Sequence, residues 1–336
     1  MSPKFKIMES LVFSINAVMP IVLMVVLGYF LKKIGFMPQD FSKKANTIVF
    51  RVCLPAMLFL NVYKIDNIGD VSFGYIIYAV AVVVCIFAVS IPLVMKVTGN
   101  GGSRGALLQA SFRSNFALIG IPLAQSLYGD EGVAVAALLS AVTIPIFNTL
   151  AVVSLSIFSK DGKKAGVKSI LHGIVTNPLI LGVLAGCFSL LLRILFVKAD
   201  ISFRLSDITP VYKVLEYLSN TATPLSLLVL GAQFEFSAVS SLKKEIIYGT
   251  LVRVGIVPAL GLGLAYLFFK DSFTGAHFAS LVALFATPVA VSSVPMAQEM
   301  KSDAVLAGQL VVFTTVFSAF SVGAVSFLLK WVGVFG

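Results

Sequence analysis

Apolar stretches of roughly 17–27 residues recur along the whole chain, separated by short polar turns. Each is long enough to cross the ~30 Å hydrocarbon core of a bilayer as a helix. Ten spans are expected: Leu11–Leu31, Thr47–Tyr63, Phe73–Met95, Ala106–Leu127, Val133–Phe158, Ile170–Phe196, Val211–Phe234, Ile246–Phe269, Ala276–Gln298 and Ala304–Leu329. Little chain is left for a soluble domain. Leu11–Leu31 lacks a small-residue cleavage site, so it reads as a span and not as a cleaved signal peptide.

Two of these spans are interrupted by the same short pattern. The fourth contains Gly120-Ile121-Pro122-Leu123-Ala124-Gln125, and the ninth contains Ser293-Val294-Pro295-Met296-Ala297-Gln298. Proline inside a helix removes a donor and clashes with the preceding turn, at a cost of about 3 kcal/mol. In lipid the freed carbonyls have no water to turn to. Matching breaks in the two halves of a chain are the sequence pointer to a carrier site within the membrane. Gly120, Pro122, Pro288 and Pro295 are the expected break positions, Pro288 adding a second kink to the ninth span.

The halves correspond elsewhere too. Pro20 and Gly28 match Pro178 and Gly186, Pro55 matches Pro224, and Asp130 and Asp303 keep the spacing of Pro122 and Pro295. Five spans per copy is an odd number, so the second copy enters the membrane upside down. The expected fold is therefore all-α, with ten transmembrane helices in two inverted five-helix repeats and broken crossover helices 4 and 9. Residues 1–158 form one repeat, 159–169 a cytoplasmic loop and 170–336 the other.

Composition supports this class. Hydrophobic residues make up 58% of the chain and charged residues 12%, against about 25% charged in a soluble domain. Mean hydropathy is +1.00. The net charge of +10 raises nucleic acid as a partner, but the positive-inside rule explains it better. Lys32, Lys33, Lys43, Lys44, Lys96, Arg104, Lys160, Lys163, Lys164, Lys168, Lys243 and Lys244 all follow odd-numbered spans. Those loops are expected in the cytoplasm and both termini outside. Lys198, Arg204 and Lys213, after the sixth span, run against the trend. Arg51, Arg113 and Arg253 lie close enough to the cytoplasmic ends to snorkel. Cys53, Cys85 and Cys187 read as buried small hydrophobes, and His172 and His277 show no ligand-like spacing. No metal or cofactor is expected.

The site is expected where the broken segments cross. Each break leaves N–H groups that attract anions and carbonyls that attract cations. Asn115 either binds a carboxylate or ties down freed backbone, because its amide both donates and accepts. Ser292 and Ser293 either meet the ligand or bond their own helix. Arg113 either draws in an anion or snorkels. Asn177, with Asn16, precedes equivalent prolines; Gln125, Gln298, Asn148, Thr143 and Gln309 are candidate cavity lining. Asp130 and Asp303 read as helix N-caps, and Gly28, Gly182 and Gly186 as close-packing positions. None of the fifteen acidic residues sits in mid-span, which disfavours coupling through a central carboxylate. The crossing is therefore expected to be neutral. The chain also lacks a phosphate-binding G-x-x-x-x-G-K-[ST] loop, an H-E-x-x-H helix and a G-x-S-x-G elbow, so neither an ATP-driven pump nor an intramembrane hydrolase is supported.

From Ser114-Asn115-Phe116 through Gly120-Ile121-Pro122-Leu123 the chain resembles the auxin efflux carrier family, which includes plant PIN-FORMED carriers and short bacterial permeases. The segment from Gly28 to Gly35, Leu54-Pro55 and Asn177-Pro178 extend the likeness over essentially the whole chain. The resemblance implies a scaffold of spans 1, 2, 6 and 7 that forms a homodimer, and a transport domain of spans 3–5 and 8–10 that moves like an elevator. It also implies that Asn115 binds substrate carboxylate and that Asn177 matches a second family asparagine. The loop after span five is short and the residues before Pro295 differ from the plant pattern, so a bacterial organic-anion carrier in the cytoplasmic membrane fits better than an auxin carrier. The rival readings are a sodium-coupled symporter of the bile-acid type, decided by sodium dependence, and a transport-dead sensor, decided by binding without flux.

Overall fold

A computed structural model describes residues 19–64, 73–158 and 175–335. Asn16, the start of the first span and the loop 159–169 lie outside the described residues. Described residues are helical apart from turns and one isolated β-bridge. In chain order the helices longer than five residues are α1 (19–33), α2 (Gln39–Tyr63), α3 (Phe73–Val97), α4 (Gly101–Phe112), α5 (Phe116–Ile157), α6 (Pro178–Lys198), α7 (Thr209–Gln233), α8 (Lys243–Phe269), α9 (Gly275–Phe285), α10 (Ser293–Glu299) and α11 (Ala304–Trp331). Six of them, α2, α3, α5, α6, α8 and α11, are long and apolar enough to cross a membrane.

The difference from ten uniform spans has physical reasons. The fourth and ninth spans are not single helices. At about 1.5 Å per residue, the 12 residues of α4 and the 11 of α9 each cover little more than half of the bilayer core. The rest of the fourth span is the start of α5, which continues into the fifth. Within α5 the chain turns at Tyr128 and Gly129, where Gly129 adopts φ 61°, ψ −150°, a conformation essentially restricted to glycine. Helix α7 has 25 residues but carries Lys213, Glu216, Ser219 and Asn220 in its first half.

Most prolines do not break their helices. A π-turn immediately precedes Pro55, Pro122 and Pro258, spanning Val49–Cys53, Phe116–Gly120 and Val252–Ile256. The wider turn makes room for the ring. The carbonyl that Pro258 leaves without an intrahelical donor, Val254 O, accepts instead from the Ser321 hydroxyl of α11. Thus Gly120 and Pro122, expected at a break, lie in and after a π-turn. Pro295 lies inside the first turn of α10, where a missing N–H costs little. Of the four expected break positions, only Pro288 falls within a non-helical stretch.

Two groups of helices result. In one, α2 packs on α6 and α7, and α1 lies against α7. Glycines set these approaches: a Cβ at Gly28 would lie 2.1 Å from Leu228 O, and one at Gly186 would lie 2.9 Å from Phe59 O. Gly182 meets the backbone of Pro55 in the same way. In the other group, α3, α5, α8 and α11 surround the half-helices α4 and α9, which are buried on nearly every side. The outward stripe Leu181, Leu184, Phe188, Leu191 and Leu195 on α6 is exposed, the inverse of a soluble amphipathic helix. Cys85 is also exposed and Cys187 half-buried; only Cys53 is a buried thiol.

Candidate functional site at the crossing of the broken helices

After α4 the chain is extended over Arg113–Asn115, and after α9 it is non-helical from Ala286 to Ser292. The two stretches run antiparallel and pair at Ser114 and Val289. Asn115 N–H donates to Pro288 O at 2.8 Å, and Ala290 N–H to Arg113 O at 3.4 Å. Val289 N–H finds the Thr314 hydroxyl of α11 at 3.1 Å. Backbone freed from two helices is thus satisfied within the protein, as the membrane interior demands.

Arg253, in the π-turn of α8, is fully buried at 0% exposure. Its guanidinium donates only to backbone: to Phe112 O at 3.3 Å, Thr287 O at 2.9 Å, Leu284 O at 3.0 Å and Phe285 O at 2.9 Å. Leu284 O is the carbonyl orphaned by Pro288. One cation therefore caps the negative carbonyl ends of both α4 and α9.

Arg113 is buried at 4% exposure and has different company. Its Nη2 donates to Asn148 Oδ1 at 2.7 Å and to Ser292 Oγ at 2.9 Å, and its Nη1 lies 2.7 Å from Met296 Sδ. All three partners are neutral, and a thioether is a weak acceptor. The ion pairs among the described residues, Arg51–Glu299 and Lys64–Glu216, lie elsewhere. The expectation of a neutral crossing is therefore corrected: it holds two buried guanidiniums and no carboxylate partner. Nor do Arg113 and Arg253 snorkel; of the three arginines so assigned, only Arg51 has an exposed side chain, at 66%. Burying a cation is costly unless acceptors surround it, and Arg253 has helix-end carbonyls while Arg113 has neutral side chains.

Donors around Arg113 are left over. Asn115 Nδ2, Ser114 Oγ and Ser293 Oγ are buried and make no hydrogen bond within the protein. Ser292 is half-buried and shared with Arg113. The crossing brings together Arg113, Asn115, Asn148, Ser292 and Ser293. Asn177 is instead the N-cap of α6, accepting from Leu179 N–H at 2.9 Å, with its Nδ2 4.0 Å from Met300 Sδ. Thr143 bonds Leu139 O within its own helix. Gln125 is exposed. Asp303 caps α11 as expected, accepting from Leu306 N–H at 2.9 Å. Gln298 and Gln309 line a polar cavity of about 320 Å³, whose wall includes Val294 but not Asn115 or Ser292. Sequence reasoning missed Arg253 as a capping residue and Thr314 as a backbone acceptor. An arginine near Pro258, with no acid in mid-span, was the available signal for the first.

An all-helical chain with several spans, two of them interrupted around a buried polar crossing, is a multi-pass membrane transport protein in its architecture. Residues 13–325 match the membrane transport protein family, and the chain belongs to that family, which is of the auxin efflux carrier type. It is similar to an "uncharacterized transporter" of Methanothermobacter thermautotrophicus, 24% identical over 92% of this chain and 96% of the relative. A second "uncharacterized transporter", from Methanocaldococcus jannaschii, is 24% identical over 90% of this chain and 94% of the relative.

Proposed function

We propose that the protein is a secondary carrier that moves small organic anions, carboxylates above all, across the cytoplasmic membrane by alternating access. The observation that carries this reading is Arg113, a buried cation held only by neutral acceptors. A carboxylate there gains a charge-assisted bond. The spare donors of Asn115, Ser114 and Ser293 and the N-terminal end of α5 add to the same preference. Arg253 occupies the carbonyl ends, which removes the features that favour a cation. Sodium coupling at this crossing has correspondingly less support.

The inverted repeat, 1–158 against 170–336, is supported by paired contacts. Gly28 of α1 meets Leu228 of α7, while its counterpart Gly186 of α6 meets Phe59 of α2; Phe59 and Leu228 stand equally far beyond the matched Pro55 and Pro224. In this reading α1, α2, α6 and α7 are a scaffold that dimerises, and α3–α5 with α8–α11 are the body that travels as an elevator. Among the described residues, polar links between the two include Thr47 Oγ1 to Glu299 Oε1 at 2.6 Å, Arg51 to Glu299 at 3.6 Å and Asn46 Nδ2 to Pro295 O at 3.5 Å. The basic end that carries Lys32, Lys43, Lys96, Arg104 and Lys243 faces the cytoplasm.

Purified protein in liposomes is expected to move a radiolabelled mono- or dicarboxylate. Asn115→Ala is expected to abolish that movement while leaving the gel-filtration profile and melting temperature intact. Unchanged flux in the variant removes Asn115 from the site.

A further inference from the structure

The polar cavity of about 320 Å³ does not stand alone. A second cavity of about 330 Å³ lies between α1 and α11, and Phe234 lines both. The first is lined by Lys32 of α1 and Lys43 of α2, by Glu235, and by Gln298 and Gln309. Two lysines against one glutamate leave it positive. The second is lined by aliphatic and aromatic residues from Ile21 to Tyr29 and from Val311 to Val316, with Thr315 as its one polar member. Adjoining at Phe234, which lines each of them, they set a charged compartment at the basic end of the molecule beside an apolar one.

One residue in the wall of each compartment carries a buried polar atom without a partner. Gln309 is 1% exposed; its Nε2 donates to Glu235 O at 2.8 Å, while its Oε1 accepts nothing. Thr315 is 2% exposed, and its Oγ1 is likewise unpaired. It lies six residues along α11 from Gln309, or about 9 Å deeper. The lining of the second cavity presents no polar surface, and an apolar cavity is not held by water. Basic pockets between membrane helices at the cytoplasmic level suit anionic lipid headgroups.

We propose that the two adjoining cavities together hold one anionic phospholipid. Its phosphate lies between Lys32 and Lys43, and one acyl chain fills the cavity between α1 and α11. A compartment of about 330 Å³ accepts a chain on the order of ten carbons, at roughly 30 Å³ per water-sized group. The lipid then touches α1, α2 and α11 together. This inference stands on the cavities and does not need the transport reading.

The test is native mass spectrometry of the full-length protein, stripped of lipid in a non-ionic detergent and titrated with phosphatidylglycerol, phosphatidylcholine or oleate. One phosphatidylglycerol is expected to bind, about tenfold or more tighter than phosphatidylcholine. The exposed pair Lys32→Gln/Lys43→Gln is expected to lower that affinity about tenfold. Val312→Trp, which fills the apolar compartment, is expected to lower it for both phospholipids. Equal binding of the two phospholipids, or phosphatidylglycerol binding unchanged in the lysine variant, overturns the proposal. Lysine-dependent binding of oleate without phosphatidylglycerol binding also overturns it, assigning the site to a free fatty acid.

Discussion

The Arg113 guanidinium donates to the Asn148 side-chain oxygen at 2.7 Å, so the buried cation at the crossing is held by an amide where an acid would neutralise it. That choice keeps the positive charge available. Asn148 is fixed in turn by its Nδ2, which donates to Ile144 O at 2.8 Å. Under the proposed function this pair is where the anionic substrate docks.

Asn148→Asp replaces the amide by a carboxylate of the same shape. Arg113 then gains a counter-ion and the site loses its net charge. The expected outcome is a rise in KM for the carboxylate substrate of about tenfold or more, with the melting temperature unchanged or higher. Concentration-dependent uptake into proteoliposomes measures it. An unaltered KM shows that the charge on Arg113 is not what the substrate meets.

Arg253→Gln strips the cap from both half-helices. Four carbonyls then lose their charged donor in a region without water. A loss of about 3–5 kcal/mol is expected, read as a fall in melting temperature on the order of 10 °C in detergent. Arg51→Gln, at an exposed side chain, is expected to leave the melting temperature within about 2 °C. Equal melts for the two variants contradict the capping role.

Gly186→Leu forces a side chain into the backbone of α2, where even a Cβ lies 2.8 Å from Val62 Cβ. Overpacking of this kind costs about 1–3 kcal/mol. The same change at Gly255, where nothing lies within 4 Å, is expected to cost less than 1 kcal/mol beyond helix propensity. Thermal melts of the two variants side by side decide the point.

An elevator must break the contact between Thr47 of α2 and Glu299 of α10, which is 2.6 Å long. Thr47→Cys/Glu299→Cys, oxidised to a disulfide, is expected to arrest transport, and reductant is expected to restore it. Full transport in the oxidised, cross-linked protein rules out relative movement of α2 and α10 during the cycle.

Much of this molecule was legible in the sequence, for reasons that differ from feature to feature. Apolar length marked the membrane helices, because the bilayer sets a minimum that no loop satisfies. Gly28, Gly182 and Gly186 were readable as close-packing sites because only glycine allows two backbones to touch. The positions of the breaks were less legible. Pro122 looked like an interruption, yet a π-turn absorbs its ring, while Arg113–Asn115 opens without any proline. Pairing across Ser114 and Val289, far apart in the chain, decides where the helix gives way. The arginines misled for a related reason. Distance from a span end suggested snorkelling, but the acceptors that hold Arg253 are carbonyls created by the broken helices themselves, and these appear only in three dimensions. Asn177 was singled out by its position before a proline, which is also what an N-cap looks like.

The most direct measurement of the central claim is flux through the Arg113→Gln protein. Wild-type protein in liposomes is expected to take up a radiolabelled carboxylate saturably, and Arg113→Gln, at an unchanged gel-filtration position, to lose that uptake by about tenfold or more. Arg113→Lys, which keeps the charge but not the forked geometry, is expected to fall between them. Carboxylate uptake by Arg113→Gln equal to that of the wild type contradicts the account, because the buried cation at the crossing then plays no part in recognising the anion.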